Sequence, residues 1–569
     1  MTPRPQDVPT IGPYLGRTKI AYFSMEIGIR TEMHTYSGGL GVLAGDTVRS
    51  AADLGLPMVF VTLISRAGYL RQEFDAEGRQ IDHTDPWTPE DYATPLRAKV
   101  AVPINGETVW IQPWLYRMEG VQGHSVPILL LDTDLPENRA EDRTITDSLY
   151  GGDASYRLRQ EIVLGIGGLR ILQALGFTIA TYHMNEGHAA LLALDLLRRY
   201  PRPADLIKPK EIAFELRRVR EACVFTTHTP VEAGHDQFDY GLVNELLPRF
   251  IDLDQLKMLA GPDRMNMTRL ALSLSGYVNG VAVRHAETTR HMFPGYQVRA
   301  VTNGVHLATW AHPAMAQLFS ENIPHWQIEP EWLSRADRLP ANAVWSAHQT
   351  AKQELVDLVK ERTGRALDPE LPTLGFARRM TGYKRPDLLL SDIARLRAIA
   401  KKSPFQIVMA GKAHPKDLGG KEVIHKIHGL AKELGDEVPV VFLPGYDMDL
   451  ARHIVSGVDV WVNNPVPPLE ASGTSGMKAA LNGVLNLSVL DGWWVEGWVE
   501  GVTGWSIGTD REAEVGADDL YTKLEGTVLP AWTHDHDRWL WMMRQAISKV
   551  AFFFNTHRMM RRYAAEAYL

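Results

Sequence analysis

The sequence predicts an α/β protein built from two parallel sheets in tandem, each covered by helices. Short runs rich in Val, Ile and aromatic residues recur between helix-like stretches: IAYFSMEI from Ile20, MVFVTLI from Met58, VPILLLD from Val126, ACVFTTH from Ala222 and GVAVRH from Gly280. A second series follows, with LPTLGFA from Leu371, FQIVMAG from Phe405, VPVVFLPG from Val438, VDVWVNN from Val458 and VLNLSVLDG from Val484. Continuous apolar runs of this length suit strands buried on both faces. The chain, at 569 residues, is also too long for one core.

Between the two series, residues 310–370 read as mixed and helical, with KQELVDLVKER the clearest periodic stretch, and the junction is placed near Asn303. The last segment, RWLWMMRQAISKVAFFFNTHRMMRRYAAEAYL, is a long amphipathic pattern without proline and predicts one or two terminal helices. The expected divisions are therefore 1–303, 304–535 and 536–569.

Composition narrows the function. Hydrophobic residues make up 45% and charged residues 22%, with no low-complexity tract, so the chain is expected to fold throughout. A formal net charge of −8 gives no general attraction to nucleic acid or to an anionic membrane, and neither is an expected partner. The opening residues lack the apolar core of a signal peptide, and the apolar stretch from Ile162 to Phe177 is broken by Arg170 and Gln173. A cytoplasmic location is expected. The single cysteine, Cys223, excludes an internal disulfide and a multi-cysteine zinc site.

Ligands of paired open α/β sheets bind beyond the carboxyl ends of the strands, so the polar residues ending these runs are the candidates. A nucleotide P-loop is rejected, because Met477 separates Gly476 from Lys478 and Ala479 follows. Gly165, Gly167 and Gly168 in GIGGLR read as small residues of a packed helix, and the pair Asp132 and Asp134 as turn and cap residues. His183 and His188 lack the spacing of a zinc protease, and no metal is expected. In GFARRMTGYKRPD, four cations (Arg378, Arg379, Lys384 and Arg385) follow a predicted strand, as either a phosphate cradle or a solvated basic loop. In EASGTSGMKAALNG, a Gly/Ser/Thr turn precedes a helix expected to begin near Lys478. Free amides there would favour an anion, and a lysine beside it suits attachment of pyridoxal phosphate, although residue chemistry alone leaves this open.

The segment EASGTSGMKAALNGVLNLSVLDG closely resembles the cofactor-lysine segment of the α-glucan (glycogen, starch and maltodextrin) phosphorylases. The resemblance continues, in the family's order, through SGGLGVLAGD, HMNEGHAAL, FTTHTPVEAG, VNGVAVRH, TNGV, ARRMTGYKR, MAGKAHP and GYDMDLA, and spans Ile20 to about Gly492. It implies two facing Rossmann-like domains, the glycosyltransferase B arrangement, with a C-terminal helical segment that crosses back to the first domain. It also implies phosphorolysis of an α-1,4-glucan by orthophosphate, giving α-glucose 1-phosphate with retention of configuration.

By the same resemblance, Lys478 carries pyridoxal 5′-phosphate, and Arg378, Thr474, Tyr446 and the Gly38–Gly39 turn surround it. Arg379 and Lys384 match the binders of substrate phosphate. Leu40, His228, Asn303, Glu470, Ser472 and Gly473 match positions that hold the transferred glucose. The family uses the cofactor's 5′-phosphate as a proton relay, so the lysine positions a phosphate. The chain departs from the pattern at three places: Arg378 replaces a usual lysine, NEGHA with Glu186 replaces an NDTHP-like segment, and HLATW replaces TPRRW. These suggest a compact bacterial-type subgroup and put acceptor preference in doubt more than chemistry.

The alternative is a nucleotide-sugar glycosyltransferase of the same architecture, such as a glycogen synthase, which has no use for a cofactor lysine at Lys478. A catalytically silent glucan-binding protein is disfavoured by Arg379, Lys384 and Lys478 occurring together. A homo-oligomer is compatible with the sequence. The first strand begins at Ile20, leaving little chain for a regulatory segment, so indifference to AMP is expected.

Overall fold

Ile20 and Tyr22 pack on one side of a sheet while Ala21 and Phe23 pack on the other. The same alternation of faces puts Met58 and Phe60 with the first pair and Val59 and Val61 with the second. Strands covered on both faces in this way explain why the sequence shows unbroken apolar runs instead of an apolar/polar alternation. The computed structural model describes residues 10–208, 210–231, 234–508 and 515–568. It is a mixed α/β structure with two large sheets.

In the first sheet, seven parallel strands lie side by side in the order Arg299–Ala300, Tyr277–Gly280, Cys223–Thr226, Thr181–Asn185, Ile20–Ser24, Met58–Leu63 and Ser125–Asp132. The long strand Glu107–Glu119 then joins antiparallel to Ser125–Asp132, and carries Thr94–Pro95 and Val100–Ile104. The second sheet is wholly parallel, in the order Val440–Leu443, Gln406–Ala410, Thr373–Ala377, Val460–Asn463, Leu485–Val489 and Gly504–Ile507. Counted along the chain, both parallel arrays wind outward one way from their first strand and then back the other way. In each, the reversal opens a crevice at the carboxyl end of the first strand.

Two expectations need correction. The run from Gly280 is not a strand: the strand is Tyr277–Gly280, and VRH opens the helix Val283–Met292. The helix containing Lys478 begins at Ser475, three residues earlier than expected, because Thr474 already adopts helical angles as its N-cap. The central strand Thr181–Asn185 was not among the apolar runs, since Thr181, His183 and Asn185 dilute it. The glycines of GIGGLR do lie in a packed helical segment: a Cβ on Gly167 would stand 2.3 Å from Ile111, and one on Gly168 2.7 Å from Phe23. Among the described residues, no helix is long and apolar enough to cross a membrane.

The C-terminal segment forms the helix His536–Ala546, continued through Ala551, and the helix Thr556–Tyr563, continued through Tyr568. Its end packs on the first sheet. Met559, Met560 and Tyr563 join the cluster of Ile20 and Tyr22, and the Tyr568 hydroxyl lies 2.6 Å from His183 Nδ1.

Candidate active site

The carboxyl ends of both sheets face a single cavity of about 800 Å³. From the second sheet come two segments. The strand Thr373–Ala377 delivers Arg378, Arg379 and Lys384, and the strand Val460–Asn463 runs into Glu470, Ser472, Gly473, Thr474 and Lys478. Gly473 takes a φ of +80°, which only glycine adopts freely, and this turn brings Ser472 and Thr474 into the wall.

The Glu470 carboxylate is the hub of this wall. Lys384 Nζ donates to both its oxygens at 2.7 Å, and Arg378 Nη2 donates at 2.5 Å. Burial alone would raise the Glu470 carboxyl, but Arg378 and Lys384 overcome this and hold it down at about 2. The same contact does not lift Lys384: burial, and then the adjacent Arg378, push its amine down to about 7. One carboxylate thus serves two cations and leaves the group cation-rich. Arg378 also donates to Asn463 Oδ1, while its Nε is buried without a hydrogen bond.

Arg379 differs from both. Its guanidinium stands exposed in the cavity, with no hydrogen bond or ion pair to any described residue. Lys478 is buried, its Nζ 3.7 Å from the centre of the Trp310 ring and without a hydrogen bond to any described residue. Burial holds its amine down to about 8, within reach of the neutral form that attacks a carbonyl. Trp310 is fixed in turn by its Nε1 donating to Asp46 at 2.8 Å.

The first sheet supplies the opposite wall. Gly38 and Gly39 begin the helix Gly39–Asp53, and Glu26, just beyond the strand Ile20–Ser24, accepts from the Ser37 and Gly38 amides at 2.6 and 3.2 Å. Tyr150 donates to the other Glu26 oxygen at 2.9 Å. His228 is held from two sides. Its Nε2 lies 2.6 Å from Asn185 Oδ1, and its backbone amide donates to Glu186 at 2.7 Å. Burial pushes its imidazole down to about 3, so it is neutral at any ordinary pH. Asn303 Oδ1 and, across the cavity, Ser472 Oγ are buried polar atoms without hydrogen bonds. Such atoms fit a hydroxylated ligand, since each is costly to leave unmade.

A family model described as carbohydrate phosphorylase matches residues 252–500. The chain is 39% identical to the maltodextrin phosphorylase of Thermococcus litoralis, over 96% of this chain and 70% of that protein. It is 37% identical to the glycogen phosphorylase of Mycobacterium bovis, over 97% of this chain and 71% of that protein, and 34% identical to the glycogen phosphorylase of Aquifex aeolicus, over 96% and 86%. The chain belongs to the carbohydrate phosphorylase family.

Each site residue that the resemblance singled out (Gly38, Gly39, Leu40, His228, Asn303, Arg378, Arg379, Lys384, Tyr446, Glu470, Ser472, Gly473, Thr474 and Lys478) lines this one cavity. The departures from the family pattern acquire local roles. Glu186, with a positive φ of 70°, uses its longer side chain to accept from His228 N, Thr229 Oγ1 and its neighbour Gly187 N. HLATW supplies His306, bonded to Asp53, and Trp310, under Lys478. Asp132 is occupied by Arg66 and Trp114 and lies outside the cavity lining.

Sequence reasoning missed Glu26, Tyr150 and Trp310, whereas Asn185 falls among the strand-end residues of HMNEGHAAL. Glu26 and Asn185 sit at the carboxyl ends of adjacent central strands, where the crevice rule would have found Glu26. Nothing local marks Tyr150 or the stacking of Trp310.

Proposed function

We propose that the chain is an α-1,4-glucan phosphorylase, which removes the terminal glucose of glycogen or maltodextrin with orthophosphate and releases α-glucose 1-phosphate. The observation that carries this reading is one cavity with Arg378, Arg379, Lys384 and Lys478 on one wall and mainly neutral or acidic hydrogen-bonding groups on the other, where Arg157 is paired with Asp236. A nucleotide-sugar transferase is not favoured, because it leaves the buried, unbonded Lys478 amine without a task.

Pyridoxal phosphate fits the residues present. The Lys478 amine is buried, unbonded and held below its ordinary value, and the Arg378 Nε nearby lacks an acceptor. Lys478 would hold the group covalently, with Arg378, Thr474, Tyr446, Gly38 and Gly39 around it. When bound it supplies a phosphate that passes a proton to and from the substrate phosphate.

Arg379 and Lys384 then bind orthophosphate. In the free site Glu470 balances Arg378 and Lys384; an arriving phosphate takes over that role and releases the Glu470 oxygens to accept from glucose hydroxyls. The orthophosphate proton goes to the glycosidic oxygen as the C1–O bond breaks, and a phosphate oxygen bonds C1 on the same face. Two phosphates close together repel strongly, and the concentration of cations on this wall offsets that repulsion. His228, Asn303 and Ser472 hold the sugar, and a neutral His228 adds no charge against the oxocarbenium-like centre.

In this reading residues 1–303 form the glucan-side domain, 304–535 the cofactor and phosphate domain, and 536–569 a helical segment returning to the first. The two face each other in the glycosyltransferase B arrangement. The enzyme works in the cytoplasm. Incubation with phosphate and a ladder of maltooligosaccharides tests the function: glucose 1-phosphate must appear only when phosphate is present, with each oligosaccharide shortened by one glucose. Glucose transfer from a nucleotide sugar, with no phosphorolysis, would overturn it.

A further inference from the structure

Away from the catalytic cavity, three side chains of metal-ligating type converge inside the protein. Asp53 is the last residue of the helix Gly39–Asp53, His306 stands just before the short helix Leu307–Trp310, and His557 opens the C-terminal helix Thr556–Tyr563. Asp53 Oδ2 lies 2.7 Å from His306 Nε2 and 3.3 Å from His557 Nε2. The three ligand atoms all fall within 4.8 Å of one another. All three residues are buried, with exposures of 2%, 5% and 1%.

Two further observations bear on what this cluster is for. His557 Nε2, buried and 3.3 Å from Asp53 Oδ2, makes no aligned hydrogen bond to any described residue. One carboxylate oxygen cannot serve both imidazoles well. The outward nitrogens, by contrast, are held by hydroxyls: His306 Nδ1 by Thr309 Oγ1 at 2.7 Å, and His557 Nδ1 by Ser50 Oγ at 3.3 Å. The second Asp53 oxygen is taken by the Val121 amide at 2.8 Å, which leaves Oδ2 directed inward. Outer partners that fix the ring orientation, with both Nε2 atoms turned to one carboxylate, are the pattern of a ligated ion.

We infer that Asp53, His306 and His557 form a structural site for a divalent transition ion of the zinc type, which clamps the C-terminal helix to the helix Gly39–Asp53 and to the segment following Asn303. Ligands about 2.0–2.2 Å from zinc in tetrahedral geometry lie roughly 3.3 Å apart, so His557 already stands at the needed separation from Asp53 and His306 needs only a small withdrawal; with three protein donors, the fourth position would go to a water. The proton balance is simple. Each imidazole binds through Nε2 and keeps its proton on Nδ1, where the Thr309 or Ser50 oxygen accepts it. A site with two imidazoles and one carboxylate selects zinc-like ions over calcium or magnesium, which prefer oxygen ligands. Asp46, paired with Arg49, accepts from the His306 amide at 3.2 Å and so fixes the backbone of one ligand.

The clamp would act beside the active site without entering it. The C-terminal helix is already stitched to the 302–306 segment: Thr556 N donates to Val305 O at 3.0 Å, and Arg558 donates to the Thr302 and Asn303 carbonyls at 2.8 and 3.2 Å. An ion at His306 would hold Asn303 on one side and Trp310, under Lys478, on the other.

The test is metal analysis of the full-length, tag-free protein after dialysis against zinc and then buffer. About one zinc per chain is expected in the wild type, and loss of at least nine-tenths of it in His557→Gln and Asp53→Asn. Stripping with a strong chelator should lower the wild-type Tm by several degrees, and zinc should restore it. Cobalt substitution should give visible ligand-field bands that vanish in either variant. If a variant fails to fold, the wild-type cobalt spectrum and the chelator-dependent Tm decide. Absence of stoichiometric zinc in the wild type, or zinc retained equally by both folded variants, would overturn the site.

Discussion

The two walls of the cavity contrast in how their charges are satisfied. On the second sheet, Arg378 and Lys384 share one carboxylate, and Arg379 and Lys478 make no direct ion pair among the described residues. On the first sheet, the carboxylates are fully engaged: Glu26 by two amides, the Ser37 hydroxyl and Tyr150, and Glu186 by His228, Thr229 and Gly187. In the proposed function, one wall keeps unspent positive charge for phosphates, and the other is a hydrogen-bonded scaffold that shapes a sugar site. Altering the first should change chemistry with little loss of fold, and altering the second should disturb glucan binding.

The sharpest break is Lys478→Ala. Phosphorolysis should disappear, bound pyridoxal absorbance should be lost, and the fold should survive by circular dichroism, since the Lys478 amine makes no hydrogen bond to the described residues and the backbone bonds of Lys478 do not depend on its side chain. Borohydride treatment of the wild type, followed by mass spectrometry of its peptides, should place a pyridoxyl group on Lys478 and leave substantial activity. An adduct on another lysine would remove the cationic wall's assigned role.

Next comes Arg379. In the proposed complex Arg379 pairs with orthophosphate, and losing one partner of a buried, hydrogen-bonded ion pair costs ~3–5 kcal/mol, so Arg379→Ala should lower kcat/KM at least about a hundredfold, at ~1.4 kcal/mol per tenfold. Arg379→Lys should also be poor, because a point charge does not replace the planar fork. Neither should lower Tm, since Arg379 is unpartnered in the free protein. A large Tm loss would show that the residue holds structure and does not wait for phosphate.

Glu186→Gln tests the other wall. Hydrogen bonds to a charged group contribute about 1.5–3 kcal/mol each, and loosening His228 should lower kcat/KM for glucan roughly ten- to a hundredfold on that scale. KM for phosphate should stay within about twofold, a change of under ~0.5 kcal/mol. If the phosphate KM changed equally, the two walls would not be functionally separate.

The smallest effect concerns pH. Burial and Arg378 hold the Lys384 amine down to about 7, so it is charged below that pH and increasingly neutral above it. KM for phosphate should accordingly rise as pH increases from 7 to 8.5. Lys384→Arg, which keeps its charge throughout, should move that rise to higher pH. An unchanged profile would show that the limb reflects ionisation of phosphate itself.

The legibility of these features in the sequence follows their range along the chain. Arg378, Arg379, Lys384 and Lys478 are readable because each follows a strand whose apolar run is visible, and the carboxyl ends of parallel strands are where ligands bind. Thr181–Asn185 was less readable, because its polar residues Thr181, His183 and Asn185 interrupt the apolar signal although all are buried. The start of the Lys478 helix was misplaced because Thr474, Ser475 and Gly476 look like turn residues, and the helical angles of Thr474 depend on what surrounds it.

By itself the sequence determined the two series of buried strands, the family, and which residues stand at the strand ends, because burial on both faces and motif order are written along the chain. The tertiary structure alone decided which of those groups are satisfied. Glu470 neutralises Lys384 but does not reach Arg379, Trp310 lies under Lys478, and Asp53 meets His306 and His557 from 253 residues away in the first case. Such partnerships depend on how the sheets wind and where the last helix returns, and a side chain's charge and bonding follow from the atoms it meets in space.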